Sequence, residues 1–152
     1  MIETSLLLQY PFFTGMDIAH ERALAMICYE IIFEQSEAIL EAGDPATDLY
    51  LVAHGRLALY DVVESDDDPR NRREYFVSHI GAGELAGLSA LIPPHIYSAT
   101  VRAEKTSRVI QIRAAPLRDY CDMNFKFASA LYAEAARAVM KRLTDTNEAW
   151  IR

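Results

Sequence analysis

Residues 81–91 read GAGELAGLSAL, so three glycines, one carboxylate (Glu84) and one hydroxyl (Ser89) fall within a short stretch just ahead of Pro93-Pro94. Glycines this close let a backbone approach a phosphate with its N–H groups turned toward the anion. The same residues also suit a tight corner between two strands. Other chemistry is thinner. His20, His54, His79 and His95 are scattered singly, whereas a zinc site needs convergent ligands, often in pairs at short spacing. The acidic run Glu64, Asp66, Asp67, Asp68 lacks the ligand spacing and central glycine of a calcium loop. It reads as part of a polar hairpin loop over 64–73, paired locally with Arg70, Arg72 and Arg73. Ser5, Ser36, Ser89 and Ser98 lie in no G-x-S-x-G elbow, and no acid/base pair has a supporting motif. An enzyme is not the expectation, and no metal or resident cofactor is implied.

Composition narrows the classes. The 152 residues are 51% hydrophobic with a formal net charge of −7, which fits one domain with a sizeable core. An acidic balance disfavours sequence-independent binding to nucleic acid or anionic membranes, which calls for clustered Lys and Arg. Cys28 and Cys121 are the two cysteines, expected as reduced, partly buried thiols in a cytoplasmic protein. No apolar run is long enough to cross a membrane as a helix. MIETSLLLQYPFF lacks the basic start of a signal peptide.

The elements that must position the glycine stretch follow from periodicity. Pro11, Gly15 and Asp17 punctuate the start. Asp17 is an N-cap candidate for a short amphipathic helix over 17–28, carried by Ile18, Ala23, Leu24 and Ile27. YEIIFEQSEAIL, LYLVAHG, RLALYDVV, EYFVSHI, IYSATVRA and SRVIQIR read as strands, with AGDPATD as a turn cluster and Gly55 as a hairpin turn. Strands recurring at this interval predict a sandwich or barrel. Ala114 and Pro116 close the β region, PLRDYCDM forms a short helix, and 124–150 runs on without Gly or Pro. As one helix that segment would be about 40 Å long. Tyr132, Ala135, Val139, Leu143, Thr146 and Trp150 make a helical stripe on it. A β domain this small leaves part of such a stripe for a second copy, so a homodimer through the C-terminal helix is expected.

AILEAGDPATDLYLVAHGRLALY resembles the signature of cyclic nucleotide-binding domains, matched at Ile39, Gly43, Asp44, Leu49, Tyr50, Leu51, Val52, Gly55 and Leu57. YSATVRAEKTSRVIQI is similar to that family's closing strands, and KRLTDTNEAW to the end of the dimer helix in regulators of the catabolite activator and fumarate-nitrate regulator type. The resemblance implies one domain over 1–152. It would be mainly β with flanking helices, an antiparallel β-roll of jelly-roll type over about 29–113, with C-terminal helices over about 115–150. It also implies a non-enzymatic regulatory role in signal transduction. Transcription factors of the superfamily carry a helix-turn-helix after the long helix. This sequence stops at Arg152, so direct DNA binding is not expected.

In the family a Gly-Glu pair opens a short helix. The Glu takes the ribose 2′-hydroxyl, and an Arg about nine or ten residues later pairs with the cyclic phosphate beside a Ser or Thr. The tempting match is Gly83-Glu84, but strand spacing puts Gly83 at the preceding turn. The cassette glycine is then Gly87, the Glu position is Leu88 followed by Ser89, and the Arg position is Tyr97, followed by Ser98-Ala99. Thr146 and Asn147 align, more weakly, with helix positions that face the base. Charge-assisted hydrogen bonds contribute roughly 1.5–3 kcal/mol each. Losing two would weaken cyclic AMP or cyclic GMP by roughly 10²–10⁴-fold. Arg102 falls on the opposite strand face from Tyr97; His95 reads as an exposed loop histidine, and the alternatives that would compensate are His95 turned into the pocket or Glu84 on a loop shifted by one turn. A cassette with apolar Leu88 and Tyr97 implies weak or no nucleotide binding and another, unidentified small-molecule ligand, or action by dimerisation alone. The alternatives are a cyclic nucleotide receptor with rearranged contacts and, since relatives of the fold bind haem, a haem held by one of the lone histidines.

Overall fold

The computed structural model describes residues 1–13, 16–65 and 67–151, the side chains at 69 and 148–151 excepted. Gly15, Asp66 of the acidic run and the Trp150 side chain lie outside the described residues. Eight strands form two four-stranded antiparallel sheets. They are β1 (Cys28–Phe33), β2 (Ala38–Leu40), β3 (Asp48–His54), β4 (Arg56–Ser65), β5 (Asp68–Gly81), β6 (Leu85–Ala86), β7 (Thr100–Ala103) and β8 (Ser107–Arg113). One sheet has the order β1-β8-β3-β6 and the other β2-β7-β4-β5. The two sheets share one core, in which Leu49, Leu51, Leu57, Ile80, Ile110 and Ile112 are fully buried.

Helices α1 (Thr4–Leu7) and α2 (Ile18–Met26) precede the strands, and α3 (Ala114–Met123) and α4 (Phe125–Ile151) follow them. The Asp17 side chain accepts the His20 N–H at 2.9 Å, capping α2. Phe12, Phe13, Tyr120 and Phe127 pack ring against ring, tying the N-terminal segment to α3 and the start of α4.

The expected β-roll with flanking helices is what the chain forms, and three local expectations change. YEIIFEQSEAIL is two strands, because the chain passes from one sheet to the other at Ser36, whose backbone is left-handed (φ 74) and whose N–H reaches the Ala103 carbonyl at 2.8 Å. The polar loop over 64–73 is largely ladder. Glu64 pairs with Arg72 and Ser65 with Asp68 in a long β4–β5 hairpin, with charged side chains on an exposed ribbon. IYSATVRA becomes strand only from Thr100. Before that, the Tyr97 backbone is held by the Gly43-Asp44 turn, with Gly43 N–H to Tyr97 O at 2.8 Å and Tyr97 N–H to Asp44 O at 3.0 Å. The β region closes at Ala114 and Pro116 as expected. Strand β8 runs directly into α3, where Pro116 sits in the first turn and needs no N–H partner, and the helical break falls at Asn124 (φ −135, ψ 86).

Gly55 is required at the β3–β4 turn. Its φ is +100, and a Cβ there would collide with the Ser107 side chain, whose hydroxyl accepts the Arg56 N–H at 3.1 Å.

Candidate functional site

The glycine stretch leaves β5, pairs briefly as β6 against β3, and turns at Gly87 into a 3-10 turn over Leu88–Leu91. Gly87 has φ +78, and a Cβ would press on the Asp48 carbonyl at 3.0 Å and the Tyr97 ring at 3.3 Å. A glycine is therefore demanded by both backbone conformation and space. The 3-10 turn, the approach to β7 and the late part of α4 border an open cavity of about 440 Å³, within the usual range for small-molecule sites.

All six cassette positions read from the sequence line this cavity: Gly87, Leu88, Ser89, Tyr97, Ser98 and Ala99. Thr146 lines it from α4, whereas Asn147 is not in the lining and is exposed. The Thr146 hydroxyl donates back to the Arg142 carbonyl at 2.7 Å. Leu40, Leu59, Val77, Ile92 and Val101 complete an aliphatic wall, and Val139 and Leu143 face the cavity from the helix.

Tyr97 is a fixed wall of this cavity. It is 6% exposed, and its hydroxyl donates to the Asp48 carbonyl at 2.6 Å and accepts the Asp48 N–H at 3.2 Å. Burial pushes its pKa up to about 12, so it is neutral at physiological pH. Glu84 is turned elsewhere, accepting the Gly81 N–H at 3.3 Å and pairing with Lys141 at 3.3 Å. Arg102 forms a two-pronged pair with Glu74 (3.0 and 2.8 Å) and does not line the cavity. The hydrogen bonds from Arg102 hold the Glu74 carboxyl below its usual range.

The histidines are dispersed. His95 lies at a separate cavity beside the start of α3, with its Nε2 buried and unpartnered. His79 Nδ1 pairs with Glu104 at 2.5 Å, and His20 packs edge-on against Tyr120. None of the described histidines lines the cassette cavity, and no metal-binding cluster occurs among the described residues. The donor set thus does not fit haem at that cavity. Cys28 and Cys121 are free and buried, and burial pushes their thiols to about 12 and about 11, which leaves them unreactive.

A cavity residue that sequence reading missed is Arg142. It projects from α4 into the cavity lining, and its Nη2 donates to the Leu85 carbonyl. Burial lowers its pKa, opposed by the Glu84 charge, yet an arginine remains a cation under any physiological condition. In the sequence, Lys141-Arg142 looks like an ordinary solvated turn of a charged helix, and only the tertiary placement separates the two. Lys141 donates to the His79 carbonyl at 2.7 Å, outside the cavity. One turn on, Asp145 accepts the hydroxyl of buried Ser78.

No helix among the described residues is long and apolar enough to cross a membrane. A solved structure described as "Putative Cyclic nucleotide-binding protein" from Geobacter metallireducens is 28% identical, covering 94% of this chain and 99% of that one with a TM-score of 0.73. The catabolite activator protein of Thermus thermophilus shares the fold at 22% identity and a TM-score of 0.66, over 91% of this chain and 62% of that one. A Rhodopseudomonas palustris protein named "Putative potassium channel protein" is 27% identical over 78% of this chain, which spans only 27% of that relative's length. The model of the cyclic nucleotide-binding domain matches residues 30–124, and the chain belongs to that family of regulatory domains.

Proposed function

We propose that this domain is a non-enzymatic ligand sensor whose cassette is a poor receptor for cyclic AMP and cyclic GMP, and that it signals through the position of α4. The observation that carries this reading is the pair Leu88 and Tyr97 at the positions where the family resemblance calls for a carboxylate and a guanidinium. Leu88 offers no acceptor for a ribose hydroxyl. Tyr97 carries no charge, and its hydroxyl is committed to both backbone groups of Asp48.

A ligand acts on α4 only if it binds two helix positions with different affinity. The contacts that would differ are those of Arg142, Val139, Leu143 and Thr146, all on α4 and all in the cavity wall. The break at Asn124 is the place where the helix can swing. The exposed apolar face of α4, with Val139 at 53%, Met140 at 68% and Leu143 at 61% exposure, supports a homodimer through this helix.

Titration calorimetry with cyclic AMP and cyclic GMP tests the reading. The expected result is no saturable binding in the low micromolar range. A dissociation constant below about 10 μM for either nucleotide overturns it in favour of a receptor with rearranged contacts.

A further inference from the structure

Among the described residues, the cassette cavity has aliphatic walls and one cation. Arg142 uses one guanidinium donor on the Leu85 carbonyl, and a guanidinium has five. Among the described residues it has no ion-pair partner. Glu84, the carboxylate whose field reaches it, is engaged by Lys141 and the Gly81 N–H. A partly buried cation without a bonded counter-ion is unfavourable, and Arg142 faces the cavity. The facing surface is apolar, with Leu40, Leu59, Leu88, Ile92 and Val101, softened by the hydroxyls of Ser89, Ser98 and Thr146. Asp61 also lines the cavity. Its negative charge weighs against a ligand with several anionic groups, and against a cradle built for a polyphosphate.

We infer that the cavity takes an amphiphilic anion, a compact apolar body bearing a single carboxylate or phosphate-ester head, with the head on Arg142 and the body against the aliphatic wall. A guanidinium suits either head because both accept two parallel N–H bonds. An aliphatic body is favoured because burial of apolar surface supplies binding that Leu88 and Tyr97 cannot supply to a sugar. Because Arg142 belongs to α4, the head group would compete with the Leu85 carbonyl for the guanidinium, and occupancy would be felt at the helix.

This inference rests on the weak-nucleotide reading above, and the experiment separates the two. The full chain is titrated calorimetrically with decanoate, decyl phosphate, decan-1-ol, inorganic phosphate and cyclic AMP, all below micelle-forming concentration. The expected result is that decanoate or decyl phosphate binds at least roughly 10-fold tighter than decan-1-ol, with inorganic phosphate weaker than either. The better of the two anions identifies the head class. Arg142→Met and Arg142→Gln should each weaken that anion roughly 10- to 100-fold, the range for losing a charge-assisted contact, and leave decan-1-ol unchanged. Arg142→Lys should restore part of the loss. Circular dichroism and thermal melting establish that each variant is folded, and the Lys variant keeps the test alive if one of the others is not. Equal affinity for acid and alcohol, undiminished anion binding in the folded variants, or no binding of either amphiphile overturns the inference. Tight cyclic AMP binding overturns the weak-nucleotide reading, whatever the amphiphiles do.

Discussion

The two ends of α4 are attached to the rest of the molecule by different physics. At its start, Phe127 and Leu131 are 4% and 1% exposed, and Phe127 stacks on Phe13 and meets Tyr120 edge-on. Beyond Val139 the helix lies along the β-roll through polar side chains. Lys141 reaches the His79 carbonyl, Arg142 the Leu85 carbonyl and Asp145 the Ser78 hydroxyl, while Val139, Met140 and Leu143 remain exposed. The apolar end is non-directional and tolerates little displacement without opening a void. The polar end consists of a few directional bonds that can exchange with water or ligand. A lever needs both kinds of attachment, and the cassette cavity sits at the exchangeable one.

Substitutions can break this contrast. Phe127→Ala should cost about 3–5 kcal/mol, the range for a large buried aromatic, as read by urea denaturation. If it costs no more than a change beyond Val139, the anchored end is not an anchor. Asp145→Ala removes the carboxylate acceptor of the Ser78 hydroxyl, which keeps only the His79 carbonyl at 3.2 Å, and should cost about 0.5–1.5 kcal/mol, with Asp145→Asn milder because an amide oxygen still accepts. Equal effects of the two would mean that the bond to Ser78 does not hold the helix. Leu143→Glu should change monomer stability by no more than about 0.5 kcal/mol, as is usual for exposed positions. It should nonetheless abolish the dimer in sedimentation. A wild-type chain that is monomeric at micromolar concentration would remove the dimer proposal at once.

Much of the fold could be read from the sequence because its signals are local. Gly-Asp at 43–44, Gly55 and the alternating apolar runs each mark a turn or a strand face on their own. The β4–β5 ribbon was obscured because a two-stranded, solvent-facing hairpin has no buried face to impose alternation, so Glu64 to Arg73 look like loop. At the site, spacing brought out Gly87, Leu88 and Tyr97, which lie on one short segment. Arg142 was not legible there. It is 55 residues from Gly87 in a helix rich in charges, and nothing local distinguishes a guanidinium over a cavity from one in water. The same holds for the Tyr97 hydroxyl, whose partner Asp48 lies 49 residues away at the start of β3.

The Tyr97–Asp48 pairing bears on which substitutions this site can take singly. Gly87, the Tyr97 ring and the Asp48 carbonyl are mutual neighbours. Tyr97→Arg alone would add a charge but leave the Asp48 N–H and carbonyl to find new partners, at roughly 1–3 kcal/mol for each group left unsatisfied. Leu88→Glu alone would place a carboxylate among aliphatic side chains with Arg142 as the cation on hand, occupying the very group a ligand would use. Each single substitution loses before it gains. A change of charge at this cavity therefore takes at least two substitutions made together, one of which must supply new partners for Asp48.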